Sequence, residues 1–194
     1  LGVGFTYYIF SVARVLTQKL SQGNTIIGIR LAVLALVVVV LLGLLLLMQT
    51  SSYVGREFSF IANKNYTDIH ALIGGIGWAG ILIFAVSLQI IPMFHVTPNF
   101  PKLLAKYMSV LLAVLLFSLF LFLPSSLAGS FIIACLLVLV SSFNLVVLKL
   151  LTQRKRKVSD TSVQLWQFAA ASFLVLTILY LITESIIDSV FLGK

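Results

Sequence analysis

Five long apolar stretches with few charged residues constrain this chain more than any other feature of its sequence. Each is about as long as the ~20 residues that a helix needs to cross a bilayer. They are residues 25–48, 69–94, 103–123, 127–148 and 163–182. Inside a bilayer the backbone hydrogen bonds must be made within the segment, so such stretches fold as helices. The sequence predicts an all-α, polytopic transmembrane helix bundle with five full spans.

Composition agrees with a membrane protein and excludes a water-soluble domain. Hydrophobic residues make up 61% of the chain and charged residues 9%, whereas soluble domains are about 25% charged. The net charge is +8, but the basic residues gather at the ends of the apolar stretches. That pattern is typical of contact with anionic lipid head groups rather than nucleic acid. We expect the lipid bilayer, and not nucleic acid, to be the partner.

The first stretch, residues 1–16, is apolar but too short to span a bilayer. It has no initiator methionine and no basic segment of the kind that opens a signal peptide. We interpret it as a partial N-terminal span. The expectation is that residues 1–194 form a single transmembrane domain within a longer chain. The missing remainder, or other membrane subunits, would then be partners of this domain.

Charge asymmetry between the loops predicts the orientation in the membrane. The most basic loop, residues 153–160, carries Arg154, Lys155, Arg156 and Lys157. Basic loops stay in the cytoplasm, so this loop is predicted to be cytoplasmic and the loop at 49–67 external. We expect a bacterial inner (cytoplasmic) membrane as the location.

The stretch at 69–94 differs from the others because it contains a histidine and several glycines near its start. His70, Gly74 and Gly77 fall on one helix face at the i, i+4, i+7 spacing. One interpretation is close packing against another helix, which small residues allow. The other is a ligand site, in which the imidazole of His70 binds haem or a metal and the glycines leave space for a flat ring. Spacing alone favours packing.

An adjacent stripe of small residues runs beside this face. It consists of Ala71, Gly75 and Ala79. Small residues repeated every four positions let the backbones of two membrane helices approach closely. The sequence therefore predicts that Gly75 lies at a helix–helix contact.

The motif His70-x-x-x-Gly74-x-x-Gly77-Trp78, followed by Gln89-Ile90-Ile91-Pro92, resembles helices of the haem–copper oxidase catalytic subunit. It is closest in style to the high-affinity C class and to the membrane haem proteins of the nitric oxide response. The resemblance covers about one helix. It implies a bundle of the twelve-helix type, of which this chain would be one half, and a haem or metal ligand at His70.

Departures from that family exclude a full oxidase centre within these residues. The family uses six histidines for two haems and a copper ion, and this chain has 2 histidines in all. The second, His95, follows Pro92, which is expected to end the helix. Along a straight helix it would lie roughly 37 Å from His70. The two imidazoles therefore cannot bind one iron atom.

Other polar groups give weaker indications. Glu184 and Asp188 share a helix face near the predicted external boundary, where a solvated helix end explains them better than cation binding. No nucleophile–base pair is present, so no catalytic residue is predicted and enzymatic activity stays open. Two alternatives to the haem-binding, oxidase-like subunit remain. One is a transporter or channel module, and the other is a structural membrane subunit without a cofactor.

Overall fold

Every regular element in the computed structural model is a helix, within the residues that the structure describes. These are residues 23–50, 64–122, 124, 126–155 and 160–191, with isolated positions between 4 and 14. The elements are α1 (Asn24–Thr50), α2 (Lys64–Leu72), a π-helix (Ile73–Gly80), α3 (Ile81–His95), α4 (Lys102–Ser118), α5 (Leu127–Thr152) and α6 (Thr161–Phe191). The prediction of an all-α chain is confirmed.

Within the described residues, 4 helices are long and apolar enough to cross a membrane. They cover Asn24–Met48, Tyr66–His95, Leu127–Thr152 and Thr161–Thr183. Large apolar side chains are exposed along all of them, as expected where lipid replaces water. The chain is therefore an integral, polytopic membrane protein.

The prediction of five full spans is wrong, because the helix predicted at 103–123 is shorter than a full span. Helix α4 has 17 residues and ends at Ser118, which gives it a length of about 25 Å against a hydrocarbon core of about 30 Å. Beyond it the amides of Leu119 and Phe120 bond to the carbonyls of Leu116 and Phe117. These tight i→i−3 bonds close the last turn. Pro124, which cannot continue a helix, follows.

Two other predictions fall largely outside the described residues. Of the predicted partial span at 1–16, only isolated positions such as Tyr7, Phe10 and Arg14 are described, and these are helical. The predicted external loop at 49–67 lies mostly within residues 51–63, which are not described.

Helices α2 and α3 and the π-helix between them form one continuous helix, Lys64–His95, called the central helix below. The π-helix has 8 residues with the sequence IGGIGWAG. A π-helix has wider turns than an α-helix, and its i→i+5 bonds are rare outside functional or strained positions. Glycines at this point remove the side chains that would crowd the wider turn.

The chain divides into two compact units. The first contains Leu1–Gln89 and Lys102–Leu136, and the second contains Ile90–Pro101 and Leu137–Lys194. The core of the first unit includes Ala32, Leu36, Ile73, Ile81 and Leu112, all fully or nearly fully buried. The prediction of a single transmembrane domain stays a prediction.

In the second unit the turn after the central helix packs on α5. The ring of Phe100 stacks on that of Phe143, with the ring centroids 5.5 Å apart. Helices α5 and α6 are joined by a hydrogen bond of 3.3 Å between the hydroxyls of Ser141 and Thr177. Such bonds between hydroxyls stabilise helix pairs in membranes.

Candidate functional site

His70 lies on α2, just before the π-helix, and its ring packs against Gly43 of α1. A Cβ atom on Gly43 would lie 3.1 Å from Cε1 of His70 and 3.9 Å from both ring nitrogens. A side chain at position 43 would therefore meet the imidazole. Gly43 leaves the notch on α1 that His70 fills, and sequence reasoning did not identify it.

The Nδ1 atom of His70 is buried and has no hydrogen-bond partner. An unsatisfied buried polar atom costs about 1–3 kcal/mol and calls for an explanation, such as a bound ion, water or ligand. The ring as a whole is half-buried. His70 therefore has a buried nitrogen without a partner, and its ring sits between two helices rather than above an open groove.

The other two predicted site residues lie against neighbouring side chains. A Cβ on Gly74 would touch the Cγ1 and Cγ2 atoms of Val39 at 3.8 and 3.9 Å. A Cβ on Gly77 would lie 3.2 Å from Cδ1 of Leu116 and 3.3 Å from the Cβ of Ala35. The space expected below His70 is thus filled by α1 and α4.

A small apolar groove does open beside Gly77, between α1, the central helix and α4. Its volume is about 70 Å³, and Leu34, Val38, Ala113 and Phe117 contribute to its lining. Pockets for cofactors and drug-sized ligands have volumes of about 300–1,000 Å³. The groove is therefore too small for a haem.

Gly75 does not lie at a helix contact. It is exposed, and a Cβ added to it would meet no atom within 4 Å. Ala71 of the same stripe is also exposed. The expectation that this stripe packs against a neighbouring helix is wrong, because the central helix turns its His70–Gly77 face, and not the Gly75 face, toward α1.

Among the described glycines, Gly28 on α1 leaves the least room for a side chain, and sequence reasoning did not single it out. A Cβ there would lie 2.5 Å from the Cβ of Ala85 and 2.8 Å from Oγ of Ser109. Three helices, α1, α3 and α4, meet at this point. Only glycine allows them to come so close.

His95, at the other end of the central helix, belongs to the second unit. It is 4% exposed, and its Nε2 atom is buried without a hydrogen-bond partner. The sequence suggested that Pro92 ends the helix before it, but α3 continues through Pro92 to His95. The two histidines thus lie in different units.

No group of three or more metal-binding side chains occurs among the described residues. The side chains of Glu184 and Asp188 lie outside those described, and the interpretation of this pair as a solvated helix end stays a prediction. A haem or metal ligand at His70 stays a prediction.

Comparisons with known proteins find no relative. No family model matches the chain, and no curated protein or solved structure is significantly similar to it. The resemblance to haem–copper oxidases stays a prediction.

Proposed function

We propose that this chain is a structural membrane subunit, a helical scaffold in which glycines bring α1, the central helix and α4 into direct contact. The observation that supports this most is the crossing at Gly28, where the Cβ of Ala85 and the hydroxyl of Ser109 leave no room for a side chain. In lipid, helices associate through such close packing rather than through the hydrophobic effect. Close packing at Gly28 therefore holds α1, α3 and α4 at fixed positions relative to one another.

The packing around His70 supports the same proposal. The imidazole fills the notch at Gly43, and a side chain added at Gly77 would press against Ala35 and Leu116. Each residue that sequence reasoning assigned to a cofactor groove is in contact with a neighbouring helix. A scaffold uses these residues as packing surfaces.

The path of the chain supports a fifth membrane crossing. The amide of Lys155 donates a hydrogen bond of 3.2 Å to the carbonyl of Val96, so the chain returns to the same end of the second unit. Between these residues it passes through α4 and α5. Because α5 is long enough to span the membrane, this return to the same end supports a second crossing by α4. We propose that α4 is a short span, which the bilayer accommodates by local thinning.

The groove beside Gly77 gives little support to the alternative that the chain is a transporter or channel module. Its lining residues are all apolar, and a hydrated solute needs polar groups to replace its water. An acyl chain of a neighbouring lipid suits this groove better.

The absorption spectrum of the purified chain, expressed in cells supplied with haem, tests the proposal against the haem alternative. We expect no Soret band, and identical spectra for the parent, His70→Ala and His95→Ala. A Soret band that His70→Ala removes and His95→Ala retains would contradict the scaffold proposal and support haem binding at His70.

A further inference from the structure

A clasp joins the end of the central helix to the basic segment after α5. The backbone amide of Lys155 donates to the carbonyl of Val96 at 3.2 Å. This bond places Arg154 and Lys155 beside the last residues of α3, although they are far apart in sequence. His95 is the residue directly before Val96.

The backbone at the clasp is strained. Val96 has a φ of 49°, which lies in the left-handed region that β-branched residues rarely adopt. It follows the last helical residue, the position where glycine usually takes this conformation. Strain of this kind persists where surrounding contacts enforce it, and it clusters at ligand sites.

Two basic side chains and a buried imidazole belong to the residues at the clasp. Arg154 is half-buried and Lys155 is exposed. The Nε2 atom of His95, the residue before Val96 in the chain, is buried with no partner. Among the described side chains of this unit the only acid is Asp160, whose carboxylate accepts the amide of Ser162 at the start of α6.

We propose that this clasp is a binding site for a phosphate group, with Arg154 and Lys155 as its cationic ligands and His95 as a third donor. Guanidinium and ammonium groups form charge-assisted hydrogen bonds with phosphate oxygens. In the tautomer that carries its proton on Nε2, His95 donates as well. Nε2 is covered, so its contact with the phosphate requires neighbouring side chains to move. The phosphate comes from an anionic lipid head group or from free inorganic phosphate, and loops of this charge lie where anionic lipid is found.

The test uses the full chain in neutral detergent, titrated with short-chain phosphatidylglycerol, inorganic phosphate or phosphatidylcholine, with binding followed by thermal shift. Loss of a charge-assisted bond in Arg154→Ala should weaken binding about tenfold. Lys102→Ala, a cation that the sequence places on the same membrane side but outside the clasp, is the matched control and should retain parental affinity. Phosphatidylglycerol binding with no response to inorganic phosphate identifies the lipid as the source, and equal binding of inorganic phosphate identifies the free ion.

The variant His95→Leu distinguishes a specific phosphate site from nonspecific electrostatic attraction of basic residues to anionic lipid. It removes a hydrogen-bond donor but no fixed charge. We expect about fivefold weaker binding with no loss of thermal stability, because the change also removes an unsatisfied buried nitrogen. If His95→Leu does not fold, His95→Gln, which keeps a donor, should bind within about twofold of the parent. Equal affinities in the parent, Arg154→Ala and Lys102→Ala, or full affinity in His95→Leu, would overturn the proposal.

Discussion

The imidazole of His70 fills a notch that Gly43 leaves on α1, with Cε1 3.1 Å from the position a Cβ on Gly43 would take. This contact pairs two residues from different helices of the first unit. It explains how a polar ring is accommodated between two membrane helices. It also accounts for a glycine in the middle of the leucine-rich run at 41–47.

Gly28→Ala should destabilise the chain by about 1–3 kcal/mol, since the new methyl group overpacks the crossing with Ala85 and Ser109. Gly75→Ala is the matched control, because a Cβ there meets nothing within 4 Å. Unfolding in a denaturing detergent measures both. Equal stabilities of the two variants would show that α1 does not approach α3 and α4 at Gly28.

Val96→Gly should stabilise the chain by about 1 kcal/mol, because glycine adopts the left-handed conformation without a clash of its side chain. Val96→Ala, which keeps a Cβ, should give a smaller gain. The same unfolding measurement applies. A loss of stability in Val96→Gly would mean that the valine side chain contributes more by packing than its backbone strain costs.

The hydroxyl pair Ser141 and Thr177 should contribute a coupling energy of about 0.6 kcal/mol between α5 and α6. A double-mutant cycle with Ser141→Ala and Thr177→Val isolates it from the local bond that Thr177 also makes to the carbonyl of Phe173. Additive single effects would show that the bond of 3.3 Å adds nothing to the helix pair.

The proposed crossing of α4 places Thr97 and Ser126 on opposite sides of the membrane. Single cysteines at these positions, in a Cys135→Ser background, should react with a membrane-impermeant thiol reagent from opposite sides. Thr97→Cys should be reached from the cytoplasmic side. Labelling of both from one side would show that α4 turns back within the bilayer.

The sequence predicted the spanning helices well, because bilayer thickness sets the length of an apolar run. The run predicted at 25–48 forms α1, Asn24–Thr50, and that at 127–148 forms α5, Leu127–Thr152. Helix α4 was overestimated because Leu119 to Phe122 are as apolar as a span but form turns. Composition does not distinguish an apolar turn from an apolar helix.

The candidate site was predicted less well, because it depends on how the helices are rotated about their axes. Spacing identified His70, Gly74 and Gly77 as one face, and the structure places that face against α1 and α4. Which residues would meet it could not be read from spacing, so Gly43 was missed. The π-helix was missed for a related reason, since the 3.6-residue period assumes regular α-helical turns through Gly80.

His95 was also misjudged, because Pro92 was expected to end the helix. Proline removes one backbone donor, but near the end of a helix this breaks few bonds, and membrane helices tolerate it. The helix therefore continues to His95 and buries a histidine that was expected in a loop.

A double-mutant cycle between Gly43 and His70 tests the packed role of His70 most directly. Gly43→Ala should be about 1–3 kcal/mol less favourable when the ring is present, because the methyl group overpacks against it, than when His70→Ala has already removed the ring. Unfolding of the four proteins in a denaturing detergent gives the coupling. An equal cost of Gly43→Ala with and without His70 would show that the imidazole does not occupy the notch, and would contradict the account of His70 as a packing residue.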